Sequence, residues 1–214
     1  MVKPSGFFIL GAGGHGAVIA DIAQASDISL MGFIDVTKAG GRHMDLPIYA
    51  GLDQVEAKQL VIAIGDNFKR QQVAEQVKLR APNLEFPSLI HPKASVAQTA
   101  SIGSGTVVMA GAVVGPKTTV GDFCILNHRA SLDHDCLMAD YASLAPGAVT
   151  GGGVHIGNRT AISLAASVKH GVVVGNDTVI GANAYLNKDL GDGWVAYGSP
   201  AKPVRRREPG EAYL

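Results

Sequence analysis

Two short segments combine residue types and spacing that could do chemistry. The first is Asp133-His134-Asp135, with Asn127 a little earlier in the chain. Histidine titrates near neutral pH, so it can take a proton from an attacking nucleophile and hand it on. A neighbouring carboxylate would orient the ring and stabilise the imidazolium, and on sequence alone Asp133 and Asp135 are equal candidates for that role. The competing reading is a structural histidine satisfied by its neighbours. Among the other histidines, His43, His91 and His155 have no companion polar cluster and read as surface or junction residues, whereas His128 follows Asn127 and could contact a substrate.

The second segment is Gly11-Ala12-Gly13-Gly14-His15-Gly16, which follows an apolar run, Phe7 to Leu10, and precedes a helical stretch, Ala17 to Ala23. In that setting G-x-G-x-x-G can present backbone N–H groups to a phosphate at a helix N-terminus. A second apolar run, Leu30 to Ile34, ends at Asp35, about twenty residues beyond the loop, where a carboxylate could accept a ribose hydroxyl. A third, Gln59 to Ile64, ends in Gly65-Asp66-Asn67 before a helical stretch from Phe68 to Leu79. This order predicts a small Rossmann-like sheet with its ligand at the carboxyl ends of the strands. The bland alternative is a glycine-rich turn with no ligand. No second nucleotide-binding half is visible, so a nucleotide carried by the substrate fits better than NAD.

What must position the His134 cluster is a repeat. Stepping by six from Val96 gives Ile102, Val108, Val114, Val120, Leu126, Leu132, Met138, Leu144, Thr150, Ile156, Ile162, Val168, Val174, Ile180 and Leu186. Two places before each lies a small residue, as at Ala112, Cys124, Ala130 and Ala148. A period of six excludes an α-helix, whose apolar stripe recurs near 3.6. It predicts a triangular coil of short parallel strands, a β-helix of about five turns. Glycine follows the aliphatic position at 103, 115, 121, 151, 157, 175 and 181, which reads as a corner needing glycine's backbone freedom. With eighteen residues per coil, Pro116, His134, Gly152 and His170 share one column at roughly the 4.8 Å spacing of paired strands.

The composition agrees. In 214 residues there are 27 glycines and only 6% aromatic side chains, short of the bulk of an ordinary core but suited to a coil filled by small aliphatics. Formal net charge is zero, which argues against nucleic acid or an anionic membrane surface as partner. The start, Met1 to Leu10, has one lysine and an apolar run too short for a signal peptide or a membrane span, so a cytoplasmic protein is expected. Cys124 and Cys136 lack zinc-site spacing and read as small buried residues, with no disulfide expected.

A Rossmann-like unit opening with Gly-x-Gly-Gly-His-Gly and running into a hexapeptide coil resembles the sialic acid O-acetyltransferase family of hexapeptide-repeat acyltransferases. It is most similar there to the bacterial nucleotide-sugar N-acetyltransferases that act on 4-amino-4,6-dideoxy sugars. The resemblance runs from about Phe7 to Arg205 and includes Gly198-Ser199-Pro200-Ala201-Lys202-Pro203. It implies a left-handed hand for the β-helix, a homotrimer with acetyl-CoA in the cleft between neighbouring coils, and a nucleotide sugar presented by the N-terminal unit. It implies no metal.

Carried over residue by residue, the resemblance makes His134 the general base, favours Asp135 as its partner and places Asn127 in the same site. It puts Gly13, Gly14, His15, Asp35 and Gly65 at the nucleotide sugar, and Ser143, Leu164 and Ala182 at acetyl-CoA. Ser143 and Val36 depart from the family pattern, which has His and an acidic residue at these positions in a close relative. Beside His134, Gly151-Gly152-Gly153 would leave room for the thioester, and Gly152 could offer an N–H to the oxyanion.

The expected organisation is a Rossmann-like nucleotide-sugar-binding unit over residues 1–88, an acetyltransferase β-helix over 89–193 and a C-terminal tail over 194–214. The expected activity is acetyl-CoA-dependent N-acetylation of a nucleotide-linked amino sugar, such as a UDP-4-amino sugar or GDP-perosamine. The alternatives are a sugar O-acetyltransferase of sialic acid type and a non-catalytic nucleotide-binding β-helix. A γ-class carbonic anhydrase, which needs three zinc-binding histidines, gains little support from the His128 and His134 spacing.

Overall fold

The computed structural model describes residues 6–212. Residues 1–5, part of the N-terminal segment on which the expectation of no signal peptide rests, lie outside the described residues, as do residues 213–214. Among the described residues no helix is long and apolar enough to cross a membrane.

The N-terminal unit is a five-stranded sheet in the order β3-β4-β2-β1-β5, formed by β1 (Phe7–Leu10), β2 (Leu30–Ile34), β3 (Arg42–His43), β4 (Leu46–Tyr49) and β5 (Leu60–Ile62). β1 pairs in parallel with both β2 and β5, and only the β3–β4 hairpin is antiparallel. Successive side chains of a strand face opposite ways, and β1 uses both faces. Phe7 and Ile9 pack with Ile19 and Ile22 of α1 (Gly14–Ala25), while Phe8 packs with Ala74 and Val77 of α2 (Asn67–Arg80). Helix α1 therefore starts inside the glycine-rich motif, so His15 and Gly16 sit in its first turn rather than in a loop before it. Helix α2 starts where Asp66 caps it, accepting from the Lys69 N–H at 2.8 Å.

From β6 (Leu89–Ile90) onward the chain winds into a left-handed parallel β-helix, whose two-residue strands stack into three sheets. The register is eighteen residues, as in Val113 opposite Ser131 and Ile125 opposite Ser143. Both sets of the repeat point inward: Leu126, Leu132 and Leu144 and the small Ala130, Ala142 and Ala148 are all fully buried in one core. Buried threonines at the small position use their hydroxyls, as when Thr106 Oγ1 donates to the Gly121 carbonyl at 2.8 Å.

The coil corrects the expectation about its glycines. The left-handed corner lies three residues after the aliphatic position, and most of its occupants are not glycine: Lys117, Arg129, Asp135 and Ala165 all have φ between 52° and 57°. Each such residue costs about 1 kcal/mol of backbone strain, offset by an N–H that donates to the coil before it, as from Asp135 to Pro116 O at 3.0 Å. The glycines directly after the aliphatic position are needed for a different reason. A Cβ at Gly115 would lie 2.6 Å from the Asp133 carbonyl carbon, and one at Gly157 would lie 2.5 Å from that of Gly175. Close approach of the stacked backbone, not φ, selects glycine there.

After the last coil, Trp194–Gly198 adds in parallel to the sheet at Val179–Ile180, and Ala201–Arg206 folds back antiparallel on it. The N-terminal unit is fastened to the coil by Arg70 of α2, which is buried. Its guanidinium donates to the Phe123 and Tyr141 carbonyls of the coil, each at 2.8 Å, and to Ile64 O and Gly65 O within its own unit at 2.8 and 3.0 Å. Phe123 and Tyr141 stack beside it, with ring centroids 5.3 Å apart.

Candidate active site

His134 and Asp135 sit on a corner of the coil, half exposed, with the His134 Nδ1 2.7 Å from Asp135 Oδ2. The left-handed backbone at Asp135 turns its carboxylate back toward the ring of the residue before it. Asp133 is used differently, since its Oδ1 accepts the His134 backbone N–H at 2.8 Å. The geometry therefore separates two aspartates that the sequence left equal. The hydrogen bond that His134 Nδ1–H donates to Asp135, with the charge of Asp133 adding to it, holds the His134 pKa above the ordinary histidine value. With Nδ1 committed to Asp135, Nε2 is the nitrogen left to exchange a proton with a substrate.

Gly152 lies one coil away beneath the ring. A Cβ there would overlap Cε1 and Nε2 of His134. The space expected to admit a thioester is thus taken by the imidazole itself, and Gly152 serves to let the ring lie where it does. His170, two coils away in the same column, is exposed.

The other expected residues gather elsewhere. A cavity of about 490 Å³ is lined by His15 and Gly65 from the N-terminal unit, by Asn127, Ser143, Leu164 and Ala182 from the coil, and by Tyr197. Asn127 Oδ1 is held by the His128 backbone N–H at 2.8 Å and faces its ring Nδ1 at 3.0 Å, which leaves the amide nitrogen as the end available to a ligand. Ser143, expected at acetyl-CoA, lines this cavity while its hydroxyl lies 3.1 Å from Asn67 Nδ2. His15 presents a buried Nε2 that has no hydrogen-bond partner among the described residues. Burial, with the Arg70 guanidinium adding to it, pushes the His15 pKa down to about 4, so the ring is neutral at pH 7.

Beside Gly13 and Gly14 a Cβ would meet nothing within 4 Å, so the loop faces open space. Gly16 is needed for packing, because a Cβ there would strike the Gly11 carbonyl oxygen. Asp35 braces this loop: one oxygen accepts the Ala12 N–H at 3.0 Å and the other accepts the Thr37 hydroxyl at 2.7 Å. Burial works against the Asp35 charge, but the bonds from Thr37 and Ala12 and the nearby Lys38 keep its pKa below the usual carboxylate range. Asp35 also lines a second cavity, across the loop from the first.

His134 is not among the residues lining the cavity that holds Asn127. Between their two corners runs the side of the coil bearing Ser131–Leu132. One chain therefore carries both halves of the expected site but does not bring them together. Both thiols are buried: burial pushes the Cys124 pKa up to about 12 and also raises that of Cys136. Among the described residues no three His, Cys, Asp or Glu side chains converge as a metal site.

Comparison with known proteins bears on this arrangement. The chain superimposes on PerB from Caulobacter crescentus, solved in complex with CoA and GDP-perosamine, with a TM-score of 0.87 and 31% identity, over 96% of this chain and 99% of that one. It belongs to the PglD-type acetyltransferase family. The model of the PglD N-terminal domain matches residues 7–77. A second PglD-type structure, the acetyltransferase domain of PglB from Neisseria gonorrhoeae in complex with acetyl coenzyme A, is 33% identical with a TM-score of 0.88, covering 94% of this chain and all of that one. GDP-perosamine N-acetyltransferase of Escherichia coli O157:H7 is 28% identical over 214 residues, 92% of this chain and 96% of that protein. Arg70 and Asn67, which join the two units of this PglD-type chain, were not identified from sequence. Their partners are mostly backbone carbonyls far along the chain, which leave no motif.

Proposed function

We propose that this protein transfers the acetyl group of acetyl-CoA to the amino group of a nucleotide-linked 4-amino-4,6-dideoxyhexose. The observation that carries the reading is the His134–Asp135 pair at 2.7 Å, on a chain alike along nearly its whole length to a perosamine N-acetyltransferase. In the reaction the neutral amine attacks the thioester carbonyl and its proton passes to His134 Nε2. The tetrahedral oxyanion then collapses, the C–S bond breaks, and the imidazolium returns the proton to the departing CoA sulfur. Asp135 stabilises the imidazolium between those two steps. No acyl-enzyme is needed, which fits two cysteines held protonated in the interior.

In this reading residues 1–88 hold the nucleotide sugar, 89–193 form the transferase coil and 194–214 close it. Gly13, Gly14, His15, Asp35 and Gly65 contact the nucleotide sugar, while Leu164, Ala182 and the backbone around Ser143 contact acetyl-CoA. Because His134 and the Asn127 cavity lie on different corners, a second copy must bring its His134 to that cavity. The homotrimer of the family reading would do so. The side between the corners presents Val113, Val149 and Tyr185 outward, each more than a third exposed, an apolar strip suited to such a contact. We place the protein in the cytoplasm, where both nucleotide sugars and acetyl-CoA are made, and keep its relation to the sialic acid O-acetyltransferases as part of this reading.

The test is release of free CoA thiol from acetyl-CoA with a panel of nucleotide-linked 4-amino sugars. Turnover with an amino sugar supports the reading, and turnover only with a hydroxyl acceptor replaces it with O-acetylation. Nucleotide binding with no thiol release would make the protein a non-catalytic binder.

A further inference from the structure

The larger cavity, about 830 Å³, opens at the carboxyl ends of β1, β2 and β5. Its floor is Leu10, Ile34 and Ile64. One wall is α2, where Val73 and Val77, four residues apart, share a face; the opposite wall is the turn Gly51-Leu52-Asp53. Leu52 and Val73 pack against the same apolar cluster, so the slot between the helix and the turn has apolar sides. Charged residues of both signs line it, Asp35 after β2, Asp53 on the turn and Arg80 at the end of α2, together with Gln76 of the helix wall; Asp35 is already engaged by the Ala12 N–H and the Thr37 hydroxyl. Among the described residues neither Asp53 nor Arg80 is hydrogen-bonded or ion-paired through its side chain. The Gly11–His15 loop and the Ile64–Gly65 turn separate this slot from the cavity holding Asn127, each contributing residues to both.

We infer that the slot holds the nucleobase of the substrate and that Asp53 and Arg80 select guanine; this rests on the proposed function. Guanine is the one common base with two adjacent donors on one edge, N1–H and the N2 amino group, and two adjacent acceptors, O6 and N7, on the next. A carboxylate accepts both donors, and a guanidinium donates to both acceptors. Uracil and thymine offer a single N–H flanked by two carbonyl oxygens, so one oxygen would face the Asp53 carboxylate. Adenine would turn the lone pair of N1 toward it. With the base in the slot, the diphosphate crosses the open side of Gly13 and Gly14 at the start of α1, and the sugar enters the cavity beside His15 and Asn127.

The experiment is calorimetric binding of GDP, UDP, dTDP and ADP to the full-length protein without CoA, repeated on Asp53→Asn. GDP should bind at least tenfold more tightly than the other three. Asp53→Asn should weaken GDP by about 10- to 100-fold, leave UDP within threefold, and gain affinity for xanthosine diphosphate, because an amide offers one donor and one acceptor to match xanthine O2 and N1–H. Arg80→Gln should weaken GDP alone as a second, independent reading of the slot. Tighter binding of UDP or dTDP than GDP, or Asp53→Asn with unchanged GDP affinity, overturns the inference while leaving acetyl transfer intact. Failure of every nucleoside diphosphate to bind, together with no thiol release, overturns the proposed function as well.

Discussion

Replacing Gly152 by alanine asks whether the position of the His134 ring matters, without touching the ring. The added Cβ would overlap Cε1 and Nε2, so the ring must turn away. It can do so cheaply, because the side chain is 56% exposed, and Gly152 does not occupy a left-handed corner that would strain an alanine. The fold should therefore lose no more than about 0.5–1 kcal/mol, and melting should move by no more than a few degrees. The turned ring, however, leaves Asp135. A positioned general base is worth about 10²–10⁴ in rate, so kcat should fall at least about 100-fold, or roughly 2.7 kcal/mol of barrier, with KM for both substrates little changed. The His134 pKa, followed by NMR of the ring, should drop toward the ordinary value as the bond to Asp135 is lost. A Gly152→Ala enzyme with kcat within threefold of the parent would refute the placement of the base. Loss of activity accompanied by a large fall in melting temperature would show the effect to be structural.

Three further outcomes follow from the same geometry. Asp135→Asn removes the main cause of the raised His134 pKa, so the rise of kcat/KM with pH, which follows deprotonation of the base, should move to lower pH while the plateau falls; a limb that stays in place contradicts the pairing. Arg70→Leu leaves coil carbonyls at Phe123 and Tyr141 without their donor and should cost about 3 kcal/mol or more, lowering the onset of thermal unfolding by roughly 6–12 °C; calorimetry showing no change would mean the junction is held elsewhere. If His134 of one copy serves the cavity of another, inactive His134→Ala and inactive Ala182→Trp proteins, mixed in equal amounts through refolding, should regain about a quarter of parental activity, as independent pairing at each shared interface requires. No recovery would place both halves of the site on one chain.

The coil was legible in the sequence because its side chains report one fact sixteen times: every sixth residue faces the interior. The first βαβ unit was legible too, since its strands alternate with helical stretches and its loop is punctuated by glycine. Other features had the right residues and the wrong reason. Glycine after Val114 or Ile156 pointed to a corner, but what matters there is the backbone of the next coil, a contact eighteen residues away. Gly152 was picked out as open space, whereas its role depends on the rotamer of His134, which spacing does not encode. Residue type alone does not separate Asp135 from Asp133, and only the resemblance favours Asp135; the physical difference is the left-handed corner that turns one carboxylate to the ring and leaves the other on the backbone. Ser143 lies on the expected face of the coil, yet its hydroxyl is held by an asparagine 76 residues earlier, and no local pattern announces such a pair.

The central claim, that His134 carries the proton in acetyl transfer to a sugar amine, is tested most directly by one comparison. Parent and His134→Ala enzymes are given acetyl-CoA and the best amino-sugar substrate from the panel, and loss of free amine and gain of amide are followed by mass spectrometry and NMR. The account predicts an N-acetyl product from the parent in step with CoA thiol release, and a kcat at least about 100-fold lower for the variant with the fold intact. An alanine variant that forms the same amide at the parental rate would contradict it.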